Sequence, residues 1–312
     1  MKHCCIIGGT GFIGSHVVEV LLSKGRRITV VGRNSVPTRG LPSGVHYVAG
    51  NYGDRNVLLS ALEDVDEVIH LAHSTIPKTS FEDPINDILS NLPASVTLFD
   101  VVGGLPIRKL VLVSSGGTVY GTPRSSPIAE RQCKNPISSY GVVKSAIEDF
   151  ASVFHRERGL PVICVRPGNA YGERQKPFSG QGFVATAIAS ILNEQEIVIF
   201  GKKGTIRDYI HVTDVAEGIV ASLERGTIGS FYNIGTGIGR SNLDVLATIS
   251  LFAKAAGFKP RVRIAPARPL DVAVNILDSR KLRVETGWRP TVPFEEGIKR
   301  TWNWFYHGAR GQ

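Results

Sequence analysis

Cys4-Cys5-Ile6-Ile7-Gly8-Gly9-Thr10-Gly11-Phe12-Ile13-Gly14 is the stretch that decides the fold. An apolar run of strand length enters a glycine turn, and the helix-like segment Gly14–Lys24 follows. The glycines satisfy G-x-G-x-x-G (Gly9, Gly11, Gly14) and also G-x-x-G-x-x-G (Gly8, Gly11, Gly14). Glycine permits a tight turn and lets the backbone approach a pyrophosphate, while the helix start offers amide donors and a positive dipole end. A glycine triplet alone is also an ordinary turn. The strand, loop and helix order is what predicts a dinucleotide site.

Outward from this loop, short apolar runs at Cys4–Ile7, Ile28–Val31, Val45–Val48, Glu67–Ala72, Lys109–Ser114 and Val162–Arg166 read as buried strands. Helix-like stretches at Arg55–Leu62, Leu89–Val102 and Ser139–Arg158 alternate with them. That order predicts an α/β fold, a Rossmann-like doubly wound parallel sheet. Beyond Pro167 the pattern loosens: Gly180–Leu192 and Asp214–Glu224 read as helices, Ser230–Ile234 as a late strand and Glu295–Phe305 as a final helix. The expected division is a dinucleotide-binding domain over 1–167, with 208–236 returning to it, and a smaller, interleaved C-terminal substrate domain over 168–207 and 237–312.

The chain has 312 residues, 34 of them glycine, and 20% are charged, which excludes a disordered chain, a coiled coil and a collagen-like repeat. No apolar run approaches the roughly 20 residues that span a bilayer. With no export signal at Met1, the four cysteines (Cys4, Cys5, Cys133, Cys164) are expected to be free thiols in a reducing cytoplasm. The net charge is +9, but the basic residues are scattered, so a small anionic ligand is favoured over nucleic acid or a membrane surface. His70, His73 and His211 lack metal-ligand spacing, and no metal is expected.

Tyr140 and Lys144 lie four residues apart in the helix-like segment, hence on one face. An ammonium near a phenol favours phenolate, which can take a proton from a hydroxyl as hydride leaves carbon. The strand end Val113-Ser114-Ser115-Gly116-Gly117-Thr118-Val119-Tyr120-Gly121 places hydroxyls where ligands bind in parallel sheets. An acidic residue usually ends the second strand and holds the adenosine ribose. Here Gly32-Arg33-Asn34 stands instead, so Arg33 is either a partner for a 2′-phosphate, suiting NADP, or a solvated surface arginine.

These motifs together resemble the nucleotide-sugar 4-epimerases of the extended short-chain dehydrogenase/reductase family. The resemblance also runs through His70-Leu71-Ala72, Asn91, Arg166-Pro167-Gly168-Asn169, Arg207-Asp208-Tyr209-Ile210-His211-Val212 and Arg268-Pro269-Leu270-Asp271. It implies bound NAD and a UDP-sugar substrate inverted at C4 through a 4-keto intermediate. Tyr140 would be the base and then the acid, and Lys144 would hold the nicotinamide ribose and lower the tyrosine's pKa. Gly8, Gly11, Phe12, Ile13, Gly14, Arg33, Asn34, Leu71, Ala72, Asn91, Ser114, Tyr140, Lys144 and Pro167 would line the cofactor. Thr118, Tyr140, Asn169, Lys176, Arg207, Arg268, Asp271 and Asn275 would meet the substrate. A homodimer is implied through the helices carrying Asn91 and Tyr140.

Three departures qualify the carry-over. The family's catalytic Ser or Thr falls at Gly116, leaving Ser115 or Thr118 to serve. The missing acid at Gly32 leaves NADP open beside NAD. Asn275 stands where a bulky residue limits the sugar pocket, so an N-acetyl sugar would fit, and Lys176 would meet a uronate carboxylate. The alternative activity is an NADPH-dependent 4-ketoreductase. A 4,6-dehydratase is disfavoured because Gly117-Thr118 replaces an Asp-Glu pair, and a non-catalytic dinucleotide sensor because Tyr140 and Lys144 are intact.

Overall fold

The computed structural model describes residues 1–268 and 272–310. Its first half runs β1 (His3–Ile7), α1 (Phe12–Ser23), β2 (Arg27–Gly32), β3 (Val45–Ala49), α2 (Arg55–Ala61), β4 (Glu67–His70), α3 (Pro77–Glu82), α4 (Pro84–Gly103), β5 (Lys109–Val113), α5 (Ser139–Arg158) and β6 (Val162–Pro167). There follow β7 (Asn169–Tyr171), α6 (Phe183–Leu192), β8 (Glu196–Phe200), β9 (Ile206–His211), α7 (Val212–Arg225) and β10 (Phe231–Ile234). The chain closes with β11 (Gly239–Ser241), α8 (Asn242–Ala255), β12 (Arg261–Ala265), β13 (Val274–Asn275), α9 (Arg280–Thr286) and α10 (Phe294–Arg310).

The main sheet has seven parallel strands in the order β3-β2-β1-β4-β5-β6-β10. The order reverses between β1 and β4, which opens a crevice at their carboxyl ends, where ligands bind in such sheets. Strand alternation sorts the core. Cys5, Ile7, Val68 and Leu110 face one layer with α2, α4 and α5. Cys4, Ile6, Ile69 and Val111 face the other with α1 and α7. The adjacent cysteines thus point to opposite faces as a strand demands, and all four thiols are free, with only Cys133 exposed.

The smaller sheet is built around β9. It takes β11 antiparallel on one side and is also joined, in parallel, by β7 and β13. The register sets Asn275 opposite Arg207 and Asn169 opposite Tyr209. A separate parallel pair, β8 with β12, packs with α6, α8 and α10 around a third core that includes Ile197, Ile188 and Trp302. β9 therefore belongs to the small sheet, whereas α7 and β10 belong to the layers of the large one.

One feature differs from the sequence expectation. α4 begins five residues before Leu89, because Asp83 caps it by accepting from Asn86 N (2.9 Å) and Pro84 occupies its first position. The single-turn helix α3 precedes it. Arg166 of the Arg-Pro-Gly-Asn motif points into the core. Its Nε and Nη2 donate to the two oxygens of buried Glu148 (2.9 and 2.6 Å), clamping β6 to α5.

Candidate active site

The glycine loop closes β1 onto α1 with almost no spare space. Gly8 adopts φ +89°, and a Cβ on it would stand 2.9 Å from Ala72 N. A Cβ on Gly14 would stand 2.2 Å from Gly8 O. The first turn of α1 has neither a side-chain cap nor an acidic residue. Its amide donors and dipole therefore suit an anion. Gly8, Gly11, Arg33, Leu71 and Ala72 line a cavity of about 210 Å³ beside it. These features fit a dinucleotide pyrophosphate by close backbone approach.

The second strand shows why no acid stands at its end. A Cβ on Gly32 would meet Tyr47 Oη at 2.6 Å, and that hydroxyl donates to Asn34 O (2.8 Å). Arg33 reaches across to Ser74 Oγ (3.4 Å). Asn34 is exposed and takes part through its carbonyl. Asn91, expected at the cofactor, stands behind the cavity wall in the chain alone. It is wholly buried and holds the cavity wall from behind, accepting from Ser74 N (2.7 Å) and donating to Asp87.

A second cavity, about 390 Å³, is lined by Phe12 and Ile13 of α1, by Ser114, Ser115 and Thr118 after β5, and by Tyr140, Pro167, Asn169 and Arg207. Ser138 caps α5 by accepting from Gly141 N (3.2 Å), which fixes Tyr140 in the first turn. One turn on, Lys144 Nζ lies 5.9 Å from the Tyr140 ring centre and donates to Val113 O (3.2 Å). Burial lowers the lysine to about 8. The phenol moves the other way: burial, then the Asp87 charge, push it above its usual value. The expected lowering by Lys144 is thus outweighed in the chain alone, because desolvation penalises phenolate more than the ammonium helps it.

Gly116 cannot carry the family hydroxyl, since a Cβ there would meet Leu277 Cδ1 at 2.6 Å and Arg166 O at 2.8 Å. Thr118 Oγ1 is buried in the cavity wall without a protein partner, whereas Ser115 is half-buried. Asn275 is buried and donates from Nδ2 to Gly116 O (3.1 Å), leaving Oδ1 without a partner.

The expected phosphate ligands divide between two cavities. Asn169 and Arg207 line the second. Arg268 lines a third, of about 540 Å³, with its guanidinium 3.7 Å from the Phe200 ring centre. Gln181 and Gly182 line both. Asp208 is not an ion-pair partner for Arg207. It is buried and accepts from the amides of Thr236 (2.9 Å), Gly237 (3.0 Å) and Leu277 (3.2 Å). Lys176, expected at the sugar, is exposed and lines neither cavity. Asp271 lies outside the described residues.

Sequence reasoning passed over His73 as an ordinary cleft-edge or core residue. Its ring stands edge-on to Tyr140, 4.8 Å between centres, and its Nε2 lies 3.2 Å from Asp87 Oδ1. Its place directly after Leu71-Ala72 was the only available signal.

A parallel sheet with a glycine loop at its switch point, and a tyrosine-lysine pair facing the same crevice, defines a dinucleotide-dependent enzyme of the short-chain dehydrogenase/reductase type. Residues 4–235 match the NAD dependent epimerase/dehydratase family, and the chain belongs to that family. It is 32% identical over 310 residues to the UDP-glucose 4-epimerase of Mycolicibacterium smegmatis, covering 96% of this chain and 97% of that one. Among solved structures it is similar to the Thermus thermophilus UDP-glucose 4-epimerase in complex with NAD (34% identity, TM-score 0.89, 98% and 99% of the two chains). It is also similar to the Thermotoga maritima UDP-glucose 4-epimerase with UDP-glucose (30% identity, TM-score 0.91, 99% and 100%).

Proposed function

We propose that the protein is an NAD-dependent nucleotide-sugar 4-epimerase that inverts C4 of a UDP-hexose. The observation that carries this reading is the shared cavity: Tyr140, Thr118, Asn169, Arg207 and the first turn of α1 all line it. The glycine loop and α1 would hold NAD, which would supply a hydride acceptor and donor at C4. Tyr140 takes the C4 hydroxyl proton and gives it back, while Thr118 Oγ1 hydrogen-bonds the same oxygen. Lys144 holds the cofactor ribose and supplies positive charge beside the phenol. Asn169, Arg207 and Arg268 take the substrate diphosphate, for which guanidinium forks are suited. The seven-stranded sheet and its helices form the cofactor-binding part. The small sheet with β8, β12 and the last helices forms the nucleotide-sugar part.

A C4-deuterated UDP-hexose tests the hydride path. The product is expected to keep its deuterium at C4 in ordinary water, and loss of the label to solvent would contradict the mechanism. Turnover appearing only with added NADPH and a 4-keto sugar would favour the ketoreductase instead. For the sugar itself, the smaller side chain of Asn275 suits an N-acetyl sugar, although it is buried and lines neither cavity, so Asn275→Tyr is the variant to compare on plain and acetylated UDP-hexoses. Exposed Lys176 gives no support to a uronate contact.

The enzyme is proposed to work as a homodimer in the cytoplasm. Among the described residues no helix is long and apolar enough to cross a membrane, and the free thiols suit a reducing compartment. Phe81, Ile85, Leu89 and Val142 are 74%, 68%, 66% and 53% exposed on α3, α4 and α5, an apolar face that a second copy would cover. Light scattering is expected to give twice the chain mass, and Leu89→Arg to halve it. An unchanged mass in that variant would place the interface elsewhere.

A further inference from the structure

Asp87 lies in the first turn of α4, wholly buried. Its oxygens accept from the hydroxyls of Thr75 and Ser80 and from Asn91 Nδ2 (2.9 Å). Its remaining neighbour is His73 Nε2, a close polar contact at 3.2 Å that lacks hydrogen-bond alignment. Burial alone would raise this carboxyl, but the His73 contact and the hydrogen bonds from Ser80 and Thr75 outweigh it and hold it at about 2. Burial, then the Lys144 charge, keep His73 neutral, at about 4. The result is a neutral imidazole backed by a fixed negative charge, its ring edge-on to the Tyr140 ring at 77°. His73 also lines the wall of the cofactor cavity.

We propose that His73 and Asp87 are a positioning pair for Tyr140: the buried carboxylate sits against the imidazole and sets its electrostatic surroundings, and the imidazole packs on the tyrosine ring from the cofactor side of the cleft. This rests on the epimerase reading above. Tyr140 stands in the first helical turn beside an open cavity, so its own helix limits it only on one side. Proton transfer needs hydrogen-bond geometry at the C4 oxygen, and a displacement of about 1 Å costs up to about a hundredfold in rate. The pair also sets the local field. The Asp87 charge favours the protonated phenol and the protonated Lys144 alike.

The titratable groups in and around this pair, including those that act on Lys144, come from several elements. β4 brings His70, neutral because burial and then the Lys144 charge lower it to about 3. The following loop brings His73, and α4 brings Asp87. α5 brings Lys144 and Glu148, the latter paired with Arg166. β6 brings Cys164, whose thiol burial pushes well up. Between mildly acidic pH and pH 8, Lys144 is the group among these that changes charge.

The holoenzyme tests the proposal. His73→Ala is expected to lower kcat about ten- to a hundredfold with KM within about twofold. Its bound NAD content, measured after acid release, is expected to match wild type. Asp87→Asn, which keeps the side-chain size, is expected to move both limbs of the kcat–pH profile to lower pH by about half a unit. The sign follows from removing a negative charge: phenolate forms more readily, and the Lys144 ammonium is lost sooner. A purely structural role would lower the amplitude and leave the limbs in place. Unchanged kcat in His73→Ala overturns the proposal, as does an NAD content that falls in step with kcat. If His73→Ala folds poorly, an unmoved profile in Asp87→Asn overturns it. Tyr140→Phe assayed alongside separates the two readings. Its inactivity beside a fully active His73→Ala removes only the positioning pair, whereas wild-type rates in Tyr140→Phe remove the epimerase mechanism and the pair with it.

Discussion

Tyr140→Phe is expected to reduce epimerisation by at least about a thousandfold while leaving the melting temperature and bound NAD near wild type. The substitution removes one oxygen from a half-buried ring whose neighbours are the His73 ring edge and the Lys144 ammonium. Phenylalanine keeps both contacts, so the fold has no reason to change. The proton of the C4 hydroxyl, however, has no acceptor once Oη is gone. Thr118 Oγ1 is a hydroxyl without a base behind it, and Lys144 Nζ is engaged with Val113 O. Rate assays with matched thermal melts check this. A rate within tenfold of wild type would mean that another group carries the proton.

Gly14→Val is expected to cost at least about 3 kcal/mol and to yield protein without bound NAD. The added Cβ would stand 2.2 Å from Gly8 O and 2.9 Å from Gly9 Cα. Both are backbone atoms of the loop itself and have no rotamer through which to yield. Either α1 moves away from β1 or the loop opens, and each displaces the amides that face the pyrophosphate. A loss of that size corresponds to a fall of roughly 4–5 °C in melting temperature at about 2.1 cal/mol/K of unfolding entropy per residue over this chain's length. Gly103→Ala is the control, since a Cβ there meets nothing within 4 Å, and it is expected to be neutral or slightly stabilising. Equal melting temperatures and equal NAD content in the two variants would contradict this account of the loop.

The parallel sheet was legible because each strand is a short apolar run between helix-like segments. α5 matches the helix-like stretch Ser139–Arg158, and in the structure Ser138 caps its start while Gly159 takes φ +69° at its end. The start of α4 was less visible, although Asp83-Pro84 carried the signal. The site divides in the same way. Tyr140, Lys144 and the glycine loop are local patterns with fixed spacing, so chemistry can be read from them directly. His73 and Asp87 meet Tyr140 only after β4, α4 and α5 pack, and nothing in their spacing announces it. The loop carrying Lys176 turns through positive φ at Arg174, Phe178, Gly180 and Gly182, and Lys176 lies exposed, a placement that no local pattern carries. Gly116 looked like the loss of a catalytic hydroxyl, but Leu277 fills the space a side chain would need.

Proton NMR of the purified protein with single UDP-sugars, and no added cofactor, tests the central claim most directly. The panel is UDP-glucose and UDP-galactose, their N-acetyl forms and the two uronates, followed at the anomeric signals. The account predicts that one pair interconverts from either side to the same final ratio, with the oxidised cofactor supplied by the protein itself. No conversion of any member, by protein shown to carry NAD, would contradict it.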